Sequence, residues 1–198
     1  MTRGPDKQFD TEVALGKAME VFWAHGYEAA SLSELLKNMG IGKKSLYDTF
    51  GNKRSLFLKA LEHYAQTVLR DVRDRLLADG SPLTNLKQVL LGWQAMHSQL
   101  GSCGCMLGTN IADFSTDDEA IAKVMRGYLQ QVEDVFYRTL TRAQAIGELS
   151  AAVDPRDMAR LLLCATQGMA LLGRVMEDDT TLKGTVQATV SLLEGKQV

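Results

Sequence analysis

Between Gly42 and Phe50, six side chains are suited to gripping a polyanion rather than to catalysis: Lys43, Lys44, Ser45, Tyr47, Asp48 and Thr49. Ammonium groups neutralise phosphates, while short hydroxyls and carboxylates reach base edges. Asp48 would accept from cytosine and repel phosphate, so it is expected to sharpen sequence discrimination at some cost in affinity. Lys43 and Lys44 stand where a helix begins, and the helix dipole disfavours cations there unless a phosphate is near. A second group of reactive side chains is His97, Cys103 and Cys105. Glycines at 101, 104 and 108 would leave a thiol accessible, and a helix starting at Met106 would favour the thiolate of Cys105. The competing reading is a buried, structural cysteine. Cys164, amid Leu161, Leu162, Leu163 and Ala165, is expected in the core.

The elements that must present the first group are legible. Ser31 followed by Glu34 makes a capping box, with the serine oxygen accepting from the first turn and the glutamate reaching back. Leu32, Leu35, Leu36 and Met39 recur at helical spacing and form one apolar face. Gly40 ends that helix in the left-handed conformation, and Ile41 plugs the turn. A second helix starts at Gly42, with Leu46 and Phe50 on its inner side and the six polar residues outside. Two short helices around a glycine turn outline a helix-turn-helix, which lays its second helix in the major groove of DNA. An ordinary helical hairpin with a wet face is the competing reading. A phosphate-binding loop ending at Ser45 is excluded, because the upstream glycine and the preceding strand are missing.

Residues Phe9 to Leu61 resemble the DNA-binding domain of the TetR family of transcriptional regulators. The carrying residues are Ala18, Phe22, Gly26 and Tyr27, then Ser31 and Leu35, then Gly40, Ile41, Ser45, Leu46, Tyr47 and Phe50, then Asn52, Lys53 and Leu56. The resemblance implies phosphate or groove contacts for Lys43, Lys44, Tyr47 and Lys53. It places Ser33 where the family often has a base-reading residue. Arg3 and Lys7 in a leading arm would add minor-groove or phosphate contacts, with a solvated tail as the alternative.

The rest of the chain fits an all-α protein. Its 198 residues are expected to form a helix-turn-helix domain over 1–55 and a helical ligand-binding and dimerisation domain over 56–198. About nine helices are predicted. The first runs from Asp10 to His25, and Asn52 caps a long linking helix to about Asp79. Pro82 starts another, to Leu100, and a short one spans Met106 to Phe114. Three more run over Glu119–Ala145, from Asp154-Pro155 to Met176, and over Thr181–Leu193. Residues 1–60 hold nine Lys and Arg against seven Asp and Glu, net +2, and residues 61–198 hold thirteen against seventeen, net −4. Only the N-terminal part is basic, as double-stranded DNA would require. No apolar run is long enough to cross a membrane, the N-terminus lacks a signal-peptide pattern, and three cysteines suit a reducing cytoplasm better than a disulfide scaffold.

What the C-terminal part senses is expected to be a small, mostly apolar molecule in a pocket. Its walls are assigned to Trp93, Met96, Leu100, Met106, Phe114, Tyr128 and Phe136, with Ile111, Met125 and Tyr137 nearby, and its polar anchors to His97, Asn110 and Gln167. The sequence from Gly104 through Cys105 to Gly108 resembles a subset of TetR-like regulators, some of which sense electrophiles or oxidants. Cys105 holds the shared position and Cys103 is an addition. The alternative regulator therefore uses Cys105, with Cys103, as a thiol sensor. A Cys105–His97 dyad is all that an enzyme reading has, since no nucleophile elbow or dinucleotide fingerprint is present. The cysteine spacing matches no zinc pattern, and no cofactor is expected. Apolar residues of the last two helices (Leu161, Leu162, Ala165, Met169, Leu172 and Val175, with Val186, Val190 and Leu193) exceed the needs of one thin layer. The resemblance implies a four-helix dimer interface there, and two heads reading a palindromic operator.

Overall fold

The computed structural model describes residues 9–99, 101–110 and 118–195, and these contain nine α-helices and no strand. Expectations for Arg3, Lys7, Leu100, Ile111 and Phe114 fall outside the described residues. The helices are α1 (Thr11–Ala29), α2 (Leu32–Met39), α3 (Lys43–Phe50), α4 (Lys53–Leu76), α5 (Pro82–His97), α6 (Met106–Asn110), α7 (Glu119–Ala145), α8 (Pro155–Leu172) and α9 (Thr180–Leu193).

The caps explain most boundaries. Asp10 accepts from Glu12 and Val13 N–H, Asn52 from Ser55 N–H, and Asp154 from Arg156 and Asp157 N–H. Each side chain satisfies amides that have no partner within the first turn. Gly26 sits inside α1 at φ 79°, ψ 172°, so regular helix stops at His25 and the chain kinks. The capping box at Ser31 is half formed. Its oxygen accepts from Glu34 N–H at 3.2 Å, but the Glu34 carboxylate turns instead to His25 Nε2, also 3.2 Å away. An imidazole from α1 offers that carboxylate a tertiary partner, so the box gives way to a tie between helices.

α1, α2, α3 and the start of α4 share one core. Phe22, Leu35, Leu46, Leu56, Phe57 and Leu61 are all fully buried. The Phe22 and Tyr27 rings each meet Phe57 edge-on at 5.0 Å, which orients α1 against α4. α4 continues unbroken into the second body, where it packs on α5 and α7, while α7 packs on α8 and α5 on α9.

The last two helices divide their apolar residues. Leu162, Met169, Val186 and Leu193 are buried within the chain, whereas Leu161, Leu171, Leu172, Val175 and Leu192 are exposed. Cys164 is exposed as well, against expectation. Helical phase explains it: Leu162 and Met169 hold the inner face, and Cys164 falls on the outer stripe with Leu161 and Leu171. No described helix is long and apolar enough to cross a membrane.

Candidate functional site

α3 turns Leu46 and Phe50 inward and leaves Lys43, Lys44, Tyr47 and Asp48 exposed, with Ser45 and Thr49 half-buried between them. Its N-cap is Gly42, which supplies no side-chain hydrogen bond to the first turn. The leading amides of α3 therefore point outward uncapped beside two lysines, an arrangement that receives a phosphate oxygen. Tyr47 is 46% exposed, an aromatic ring presented to whatever docks on this face.

Flanking residues are already engaged. Ser33 is exposed at the start of α2, its hydroxyl 3.0 Å from that of Ser31. Lys53 donates to the Glu28 carbonyl at 3.3 Å and lies 4.6 Å over the Tyr27 ring. It braces the end of α1 and would have to swing to reach a phosphate. Lys59, which the sequence did not single out, donates to the Thr49 carbonyl and sits over Phe50, so it complements the C-terminal end of α3. Its only sequence signal is a cation about two turns into α4.

The second body encloses a cavity of about 280 Å³ between α4, α5, α7 and α8. Of the residues assigned to the pocket, Trp93, Met96, His97, Tyr128 and Gln167 line this cavity, Cys105 joins them, and Thr166 adds a hydroxyl. Trp23 of α1 also lines it, as does a stripe of α4 running through Tyr64, Val68, Asp71 and Arg75. Sequence reading missed both. The spacing on α4 puts those residues on one face, but nothing in the sequence shows which helix faces it. Arg75 pairs with Asp71 at 3.3 Å and crosses α5 at Gly92, where a Cβ would stand 2.9 Å from its Nη2. Burial pushes the Tyr64 phenol, beside the Cys105 thiol, well above its ordinary value. Burial lowers His97, so that imidazole is neutral near pH 7. A groove on the far side of Gln167, about 320 Å³, is lined by Leu107, Met125, Leu129 and Leu171.

Other expected wall residues lie elsewhere. Met106 and Phe136 are core, with Phe136 edge-on to Trp93 at 6.2 Å. Asn110 is fully buried and spends its amide on the protein: Oδ1 accepts from Tyr27 N–H at 3.1 Å, and Nδ2 donates to the Met106 carbonyl at 2.8 Å. It is a tie rather than a ligand anchor. Tyr137 is covered by the Arg156 guanidinium at 3.8 Å.

The cysteines do not form the accessible pair that glycine neighbours suggested. Cys105 is only 6% exposed, between Tyr64 and Tyr128 on the cavity wall, and Cys103 is half-exposed outside it. These positions do not favour a thiol sensor. His97 faces the Ser102 hydroxyl at 3.5 Å. Among the described residues, no cluster of three His, Cys, Asp or Glu side chains is grouped to hold a metal.

An outward-facing polar helix on a compact head, joined to a larger helical body, is the architecture of a helix-turn-helix DNA-binding regulator. Residues 14–60 match the sequence profile of bacterial regulatory proteins of the tetR family, and residues 82–189 match that of the tetracyclin repressor-like C-terminal domain. The chain belongs to the TetR family of transcriptional regulators. It is 33% identical to the uncharacterized HTH-type transcriptional regulator YezE of Bacillus subtilis, over 96% of this chain and all of that one. It is 31% identical to the HTH-type transcriptional repressor ComR of Escherichia coli, over 87% of this chain and 83% of the repressor. Among solved structures, a cysteine-substituted form of the TetR-family regulator CifR, complexed with 26 bp double-strand operator DNA, superposes with a TM-score of 0.82. It is 27% identical, covering 96% of this chain and all of that one.

Proposed function

We propose that this regulator is a repressor that binds a palindromic operator as a homodimer and is released by a compact, mostly apolar effector. The observation that carries the reading is the outer face of α3: exposed Lys43, Lys44, Tyr47 and Asp48 on an uncapped helix start, backed by a fully packed head. Lys43, Lys44 and Tyr47 are assigned to phosphates and groove walls, Ser45, Asp48, Thr49 and Ser33 to base edges, and Lys53 to phosphate after it leaves Glu28. The exposed stripe of Leu161, Leu171, Leu172 and Val175 on and beyond α8, with Leu192 on α9, supports pairing of two chains along these helices. The operator complex of CifR supports the same mode.

The effector site is the cavity bounded by Trp93, Tyr64 and Tyr128, with Gln167 and His97 as its polar groups. Its volume is at the low end for ligand pockets, which favours a small occupant. Switching from nearly full to nearly empty operator occupancy requires about 5.5 kcal/mol of differential affinity between the two head arrangements.

The test is anisotropy binding to the duplex that the purified protein selects from a randomised pool. Tyr47→Ala is expected to abolish that binding while helical spectrum and dimer mass stay unchanged. A variant that binds as well as wild type would remove α3 as the reading helix.

A further inference from the structure

The segment 104–110 ties the head to α8. Gly104 adopts φ +67°, and a Cβ there would stand 2.4 Å from the Ala170 carbonyl oxygen and 3.1 Å from Arg174 Cδ. Only a residue without a side chain can seat so closely on the end of α8. The carbonyl of the same Gly104 accepts from Trp23 Nε1–H of α1 at 2.9 Å, across 81 positions of sequence. One turn further along, Tyr27 N–H is held by Asn110. The short segment 104–110 thus grips α1 at two successive turns while its first residue is wedged against α8. A second glycine closes the wedge: a Cβ on Gly173 would lie 2.4 Å from the His97 carbonyl oxygen.

These contacts make a path from the exposed stripe of α8 to the head that passes through backbone and a single indole. Backbone seated on backbone has little room to give, so the position of α1 is referenced directly to α8. We propose that Gly104 and Trp23 are specificity-determining residues for the operator: they fix the separation of the two heads, and so the half-site spacing, without touching DNA. The proposal rests on the dimeric reading above. A step along DNA is about 3.4 Å, and relieving a 2.4 Å contact to ordinary van der Waals distance moves the joint by about 1 Å in each subunit. That shift is repeated by symmetry and enlarged along α1 before it reaches α3. Trp23 also lines the cavity, so an occupant touches the very residue that holds the spacing.

The experiment uses the full-length protein and the duplex it selects from a randomised pool, with one base pair inserted or deleted at the centre, and a duplex carrying a single half-site. Wild type is expected to prefer its selected spacing by at least tenfold. Trp23→Phe keeps an aromatic side chain and removes the indole donor together with the five-membered ring that carries it. It is expected to bring that preference below about threefold while single half-site binding stays within twofold of wild type. Gly104→Ala is expected to lose at least tenfold on the selected spacing or to favour an altered one. An unchanged spacing ratio in Trp23→Phe overturns the proposal, even if Gly104→Ala does not fold. So does a parallel loss on the single half-site, which would make Trp23 a structural part of the head. If wild type selects no paired half-sites, the dimeric reading fails first and this inference falls with it.

Discussion

Lys44 offers a clean measure of the phosphate contacts. Its side chain is exposed on the first turn of α3 and has no ion-pair partner among the described residues, so Lys44→Ala removes a charge without disturbing packing. Each neutralised phosphate contributes about −0.9 to the slope of log affinity against log salt. A symmetric dimer carries the lysine twice, so the variant's slope should be shallower by about 1.8. Between 50 and 200 mM salt, a fourfold range, that slope difference is about 12-fold: the variant loses about 12-fold less affinity than wild type over the same titration. Fluorescence anisotropy with a labelled operator duplex at several KCl concentrations measures both slopes. Lys183→Ala is the control, because that residue of α9 pairs with Asp179, the cap of the same helix, far from α3 in the chain. An unchanged slope in Lys44→Ala would show that its ammonium never meets a phosphate. An equal change in the control would show that the effect is only net charge.

Phe22→Ala empties a fully buried site beside Phe57 and is expected to cost about 3–5 kcal/mol, read as a lowered denaturant midpoint; a loss under 1 kcal/mol would contradict the packing. Arg54 of α4 grips Asp118, the cap of α7, through Nε at 3.0 Å and Nη2 at 2.6 Å, and holds that carboxyl below its ordinary value. Stability from this pair is therefore complete above about pH 4 and is lost as pH falls further through the lowered value, so the melting gap between wild type and Arg54→Ala should close on acidification. A gap that persists at pH 2 would assign the Arg54 effect to packing. Leu171→Glu places a charge on the exposed α8 stripe and is expected to give a monomer with an unchanged helical spectrum; an intact dimer by sedimentation would move the pairing surface elsewhere.

The parts of the fold that were legible are those set by neighbours in sequence. Asp118 and Glu119 opened α7 where expected, Asp154 and Pro155 opened α8, and Gly26 ended the regular part of α1. The outward and inward faces of α3 followed from Leu46 and Phe50 alone. What was illegible depends on partners far along the chain. Glu34 satisfies its local capping pattern on paper, yet His25 outbids the amide it was meant to reach. Asn110 has the polarity of a ligand anchor, but the backbone of Tyr27 claims it. Trp23 carries no mark of a cavity wall, since α4, α5 and α8 must assemble around it first. α5 stops at His97 rather than Leu100, where Gly173 presses against the His97 backbone.

The continuity of α4 has a consequence for building chimeras. Its 24 residues span about 36 Å of unbroken helix, with Leu56, Phe57 and Leu61 in the head and Tyr64, Val72 and Leu76 in the body. A junction between this head and another regulator's body cannot be placed in a loop here; it must be cut through a helix. One residue too many or too few would turn the head by about 100° and advance it by about 1.5 Å, breaking the ties at Gly104, Asn110 and Asp118 together. Transplants that keep α4 in phase are thus the ones expected to pass a signal, and out-of-phase joins would yield two sound halves that no longer communicate.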